Sequence, residues 1–165
     1  MEKIGFIGLG YMGHGMAKNI VEKGHPLTVI GHRNRAPIED VVKRGAKEVK
    51  SIPELARASD IVFLCVTGSK EVEAVTLGEN GLAHHLAAGS IIVDTSTSDP
   101  VSTMKLFHEC AARNITLVDA PLGRTPKEAW DGTLDTMVGA TDEIFARLKP
   151  VMEKWAGRVI HVGGP

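Results

Sequence analysis

The chain has 165 residues, 43% hydrophobic and 24% charged, with a formal net charge of −1. That balance excludes a disordered chain, which lacks the apolar surface to offset its ordering entropy. It also excludes a strongly basic nucleic-acid binder, and aromatics at 4% leave little for base stacking.

Length alone predicts one domain whose core needs no disulfide or metal. Short apolar runs alternate with helical spacing throughout. Lys3–Ile7 is an apolar β run, Met12–Lys23 a helix stopped by Gly24, and Leu27–Ile30 a second strand. Ala36–Arg44 is helical, with Pro37 in its first turn and Gly45 at its end. A short strand at Lys47–Val49 and a short helix at Pro53–Ala58 follow. Ile61–Val66 is a continuous apolar run, as expected of a buried parallel strand. Then come a helix at Glu71–Leu77, a strand at Ser90–Asp94, and a helix at Val101–Arg113 started by Ser98 or Asp99. Ile115–Asp119 and Leu134–Val138 are strands, Asp142–Lys154 the last long helix, and Arg158–Val162 the closing strand. The repeated β-α-β pattern predicts an α/β fold: a doubly wound, mostly parallel sheet with helices on both faces. Ligands in such sheets bind at the carboxyl ends of the strands.

No apolar run approaches the ~18 residues of a membrane span, and Cys65 and Cys110 read as reduced, buried thiols. The seven histidines are scattered, and no metal site is expected. The expectation is a soluble cytoplasmic protein with no nucleic-acid or membrane partner.

The first strand runs straight into Gly8-Leu9-Gly10-Tyr11-Met12-Gly13, and a helix opens there. In that context G-x-G-x-x-G is a dinucleotide-binding, Rossmann-type fingerprint. Gly8 makes the tight turn, Gly10 admits a pyrophosphate close to the backbone, and Gly13 allows helix and strand to pack. Free N–H groups at the helix N-terminus complete the anion site. An NAD site commonly places Asp or Glu at the end of the second strand for the ribose 2′-hydroxyl. This chain reads Ile30-Gly31-His32-Arg33-Asn34-Arg35 there, without an acid. Arg33 and Arg35 suit the 2′-phosphate of NADP, with His32 beside the adenosine. The bland alternative is a solvated basic turn, so NAD stays possible.

The segment Phe6 to Ile20 resembles the N-terminal signature of the β-hydroxyacid dehydrogenases, G-L-G-x-M-G-x-x-M-A-x-N. That family includes 3-hydroxyisobutyrate dehydrogenase and, more distantly, 6-phosphogluconate dehydrogenase. Val66-Thr67-Gly68-Ser69 stands where the family has a Leu-Pro-containing loop under the cofactor, with Thr67 in place of Pro. Asp94-Thr95-Ser96-Thr97 is similar to its D-x-S-T, which implies Thr97 near the nicotinamide ribose. Asp119-Ala120-Pro121-Leu122-Gly123-Arg124-Thr125 stands where most members read D-A-P-V-S-G-G. Gly123-Arg124-Thr125 departs from that pattern and resembles the sulfolactaldehyde reductase branch.

The resemblance implies hydride transfer between NAD(P) and a small anionic hydroxy acid or aldehyde, with Gly123, Arg124 and Thr125 facing the acid group. An arginine fork beside a hydroxyl suits a carboxylate or sulfonate. It also implies a second, helical domain carrying a catalytic lysine. This chain would then span only the cofactor-binding half, turn over poorly alone, and leave an apolar face that favours a homo-oligomer. A non-catalytic dinucleotide sensor is the rival from another class, and an imine reductase the rival enzyme.

Overall fold

A computed structural model describes residues 1–165. Its first half alternates β1 (Ile4–Ile7), α1 (Gly13–Glu22), β2 (Leu27–Ile30), α2 (Ala36–Lys43), β3 (Lys47–Val49), α3 (Ile52–Arg57) and β4 (Ile61–Leu64). Then come α4 (Ser69–Leu77), β5 (Ile91–Asp94), α5 (Pro100–Ala111) and β6 (Thr116–Asp119). The chain closes with β7 (Leu122–Gly123), α6 (Pro126–Asp131), β8 (Leu134–Gly139), α7 (Asp142–Met152) and β9 (Ala156–Gly163).

The nine strands form one sheet in the order β3-β2-β1-β4-β5-β6-β8-β7, with β9 pairing β8. From β3 to β6 all neighbours are parallel. This is the Rossmann order, reversing direction between β1 and β4. β8 runs antiparallel to β6 and β7 but parallel to β9. The mostly parallel, doubly wound sheet expected from the sequence is therefore present, with an antiparallel extension at one edge. No helix is long and apolar enough to cross a membrane.

Each face of the sheet has its own core. Met16, Ala17 and Ile20 of α1 join Ile38 and Val41 of α2 and Leu148 and Val151 of α7 over one face. Leu55 of α3, Val72 of α4 and Leu106 of α5 cover the other. Trp155, fully buried, meets Phe63 edge-on at 6.0 Å, and Phe63 stacks on Phe6 at 6.1 Å. Each large side chain buried in this way contributes roughly 1.5–3 kcal/mol. Exposed ion pairs contribute about 0–1 kcal/mol, so apolar burial holds the layers together.

Some local expectations are corrected. The β4 run stops at Leu64 rather than Val66, because the Val66 N–H turns to the Ser96 hydroxyl, 2.9 Å away. Cys65 is half-buried rather than fully buried; Cys110 is buried, and both are free thiols. Of the two starts the sequence offers for α5, Asp99 is the cap, and the Ser98 hydroxyl donates to Asp94. β7 and α6 went unread. α6 buries only Ala129, so it carries no helical stripe of apolar residues.

α6 is fixed by α1. The Asn19 amide donates to the carbonyls of Ala129 (3.0 Å) and Trp130 (3.1 Å) and to Gly15 (2.8 Å). A Cβ on Gly15 would lie 2.5 Å from the Ala129 carbonyl carbon. Gly15→Ala is therefore expected to cost about 1–3 kcal/mol by overpacking. Calorimetry should show Tm falling about 2–4 °C for each kcal/mol. An unchanged Tm would mean that the two helices separate freely.

Candidate dinucleotide site

The turn after β1 is built from backbone against backbone. Gly8 has φ +102°, and a Cβ on it would sit 2.2 Å from the Cys65 carbonyl oxygen. A Cβ on Gly13 would sit 1.9 Å from the Gly8 carbonyl oxygen. Gly10 has nothing within 4 Å, so its surface is open to a ligand. The N–H groups of Gly10, Tyr11 and Met12 have no backbone partner, and Leu9 packs against the core beneath them. α1 has no side-chain cap and no acid in its first turn. An uncapped N-terminus above an open glycine fits the pyrophosphate of a dinucleotide. Tyr11, 91% exposed, flanks it.

At the end of β2, His32, Arg33 and Arg35 are all exposed. The two arginines differ. Arg33 makes no side-chain hydrogen bond or ion pair, whereas Arg35 donates through both Nη atoms to Glu48 of β3, at 2.6 and 2.9 Å. Hydrogen bonding in this fork raises the Arg35 pKa and holds the Glu48 carboxyl below its ordinary range. The sequence assigned both arginines to a 2′-phosphate; the fold leaves Arg33 free and engages Arg35 elsewhere.

The loops after β4 and β5 are tied together. The Thr95 hydroxyl donates to the Leu64 carbonyl at 2.7 Å. The Ser69 hydroxyl accepts from the Asp99 N–H at 2.6 Å. Asp94, 1% exposed, accepts from the Ser96 N–H (2.9 Å) and the Ser98 hydroxyl (2.7 Å). Val66, half-buried, and Thr67 and Thr97, both exposed, ride on this frame at the carboxyl end of the sheet.

Beyond β6, Gly123 pairs with Asp135 of β8. Arg124 holds φ +83°, unusual for a residue with a side chain. Its Nε lies 3.1 Å from the Asp135 carboxylate, with Arg158 at 3.9 Å from the same oxygen. Thr125 is committed to α6: its N–H (3.0 Å) and hydroxyl both donate to Glu128. The expected substrate-facing hydroxyl is thus part of a helix cap, and the capping signal Thr-x-x-Glu was legible in the sequence.

Asp119 pairs with Asp94 across β5 and β6. It lines a cavity of about 260 Å³ with Ser98, Thr103, Met104 and Gly139. Partial loss of water, then the negative charge of Asp94, push its carboxyl above the ordinary range. A raised carboxyl pKa favours the folded state while the group is protonated, and that contribution is lost as pH rises through the folded pKa. Asp119→Asn is therefore expected to stabilise the chain at pH 7, with the gain vanishing in acid. Thermal melts across pH test this; a gain that persists at low pH refutes it.

Known proteins resemble this chain along nearly its whole length. Residues 3–163 match the model for the NAD binding domain of 6-phosphogluconate dehydrogenase. The 2-(hydroxymethyl)glutarate dehydrogenase of Eubacterium barkeri is 39% identical over 162 residues, covering 98% of this chain and 53% of that protein. The 3-sulfolactaldehyde reductase of Escherichia coli (strain K12) is 33% identical over 165 residues, covering 100% of this chain and 55% of that protein. The solved structure of Psf3 in complex with NADP+ and 2-OPP superimposes with a TM-score of 0.91 at 29% identity, covering 98% of this chain and 57% of that one. The chain spans about half the length of the curated relatives it matches. It belongs to the family of 3-hydroxyisobutyrate and 6-phosphogluconate dehydrogenases, as an NAD-binding domain of that family.

Proposed function

We propose that the chain holds NADP(H) for hydride transfer to or from a small anionic hydroxy acid or aldehyde. The observation that carries this reading is an uncommitted Arg33 at an acid-free end of β2, close in the fold to an open glycine cradle. Bound nicotinamide would supply the hydride chemistry, and the protein supplies position and electrostatics. The N–H groups of Gly10, Tyr11 and Met12 hold the pyrophosphate. Arg33 takes the 2′-phosphate and His32 lies against the adenosine. Val66, Thr67 and Thr97 line the nicotinamide side.

The substrate anion falls to Gly123 and Arg124, with Thr125 shaping the turn. The Asp135 carboxylate lies against the Nε edge of Arg124 as an ion pair, and the terminal nitrogens, which make no hydrogen bond, are offered to a carboxylate or sulfonate. Lys127 is no stand-in for a proton donor, since it is bound to Asp131 at 2.6 Å and is 80% exposed. On this reading, acid–base catalysis belongs to a group outside these residues. The chain alone is expected to bind cofactor yet turn over about 10²–10⁴-fold slower than a protein supplying that group. The exposed Val101, Met104, Met137 and Val162 support self-association as the second kind of partnership.

Titration calorimetry with NADPH and NADH at one salt concentration tests the cofactor reading. NADPH should bind more tightly, and Arg33→Ala should weaken it about 10–100-fold, the worth of charge-assisted hydrogen bonds. NADH affinity should be unmoved. Equal loss for both nucleotides, or none, would make Arg33 part of a solvated turn only.

A further inference from the structure

The end of β2 is shared with a carboxylate from a neighbouring strand. Gly31 follows the last residue of β2. A Cβ built on it would lie 2.3 Å from Arg35 Nη1 and 2.7 Å from Glu48 Oε1. The ion pair therefore fills the space that a side chain at residue 31 would take. Glu48 reaches that place from β3, where it stands in register with Val29. Dinucleotide folds use the end of this second strand for the acid that accepts the ribose 2′-hydroxyl. Here the strand itself has no acid, and the nearest carboxylate arrives from next door.

The pair is bidentate but open to solvent, with Arg35 51% and Glu48 32% exposed. A pair of that kind is worth about 0–1 kcal/mol, so a ligand can exchange for either partner. The two partners pull in opposite directions. A 2′-phosphate is attracted by the guanidinium and repelled by the carboxylate, while a 2′-hydroxyl can donate to the carboxylate. Glu39 adds negative charge near Arg35 and Lys50 positive charge near Glu48, but neither replaces the direct contact.

We infer that Glu48 is a specificity-determining residue. It draws Arg35 away from the 2′-phosphate and offers its own carboxylate to a 2′-hydroxyl, so that the site accepts NADH as well as NADPH. This rests on the proposed dinucleotide reading and adds a residue on β3 to it.

The experiment measures the dissociation constants of NADPH and NADH for the full chain and for Glu48→Gln and Arg35→Ala. In Glu48→Gln, NADPH should tighten by about three- to fivefold and NADH weaken by a similar factor, the scale of one exposed ion pair. Its NADPH binding should also become more salt-sensitive, because a released guanidinium now meets phosphate. In Arg35→Ala, NADPH should weaken and NADH hold. A NADPH-to-NADH ratio that moves less than about twofold in both variants overturns the inference while leaving the dinucleotide reading intact. Failure of the unmodified chain to bind either nucleotide overturns both. Melting temperatures of the two variants, expected to match that of the unmodified chain, separate lost affinity from lost fold.

Discussion

The close approach of backbone at the first turn governs much of what surrounds it. The Cys65 carbonyl occupies the space beside Gly8, and the Gly8 carbonyl occupies the space beside Gly13. β1 and β4 are neighbours in the sheet although β2 and β3 lie between them in sequence. The turn is thus wedged between two strands, and the start of α1 has no freedom to shift. That start brings Met16, Ala17 and Ile20 onto the sheet and leaves the N–H groups of the loop unpaired. One constraint serves both the core and the open turn above it. The apolar burial behind it far exceeds any single polar contact in front.

Polar chemistry at the other strand ends is held with comparable firmness. A buried carboxylate such as Asp94 is costly unless its oxygens are hydrogen-bonded, and the Ser96 N–H and the Ser98 hydroxyl meet that need. The same bonds tie the loop after β5 to itself, while Thr95 and Ser96 tie it to the end of β4. Loops that carry function on a rigid scaffold gain precision in this way. Thr67 and Thr97 remain exposed because their neighbours absorb the structural work.

The arginines show how little sign of charge alone says about role. Arg33 is free, Arg35 is forked onto Glu48, and Arg124 gives its Nε side to Asp135. Exposed ion pairs add little stability. Their effect here is orientation: they decide which nitrogen atoms stay uncommitted. The left-handed backbone of Arg124 carries a strain of about 1 kcal/mol or more, and its ion pair to Asp135 on the facing strand holds the side chain across that turn.

The alternation of strand and helix, the glycine turn and the absence of an acid on β2 were all legible in the residue order. Each depends on neighbours within one turn or one strand: apolar periodicity, a positive-φ glycine, a helix opening directly after a β run. The β7–α6 segment escaped because six helical residues burying one alanine give no periodic pattern. The sequence by itself determined the fold class, the glycine turn and the inventory of candidate side chains, since those follow from local spacing. Only the tertiary structure decided that Glu48 faces Arg35, that Asp135 faces Arg124, that β8 runs antiparallel and that Asp119 lies beside Asp94. Those facts depend on which distant strands become neighbours, and a side chain's partner across a sheet is set by register rather than by its place in the chain.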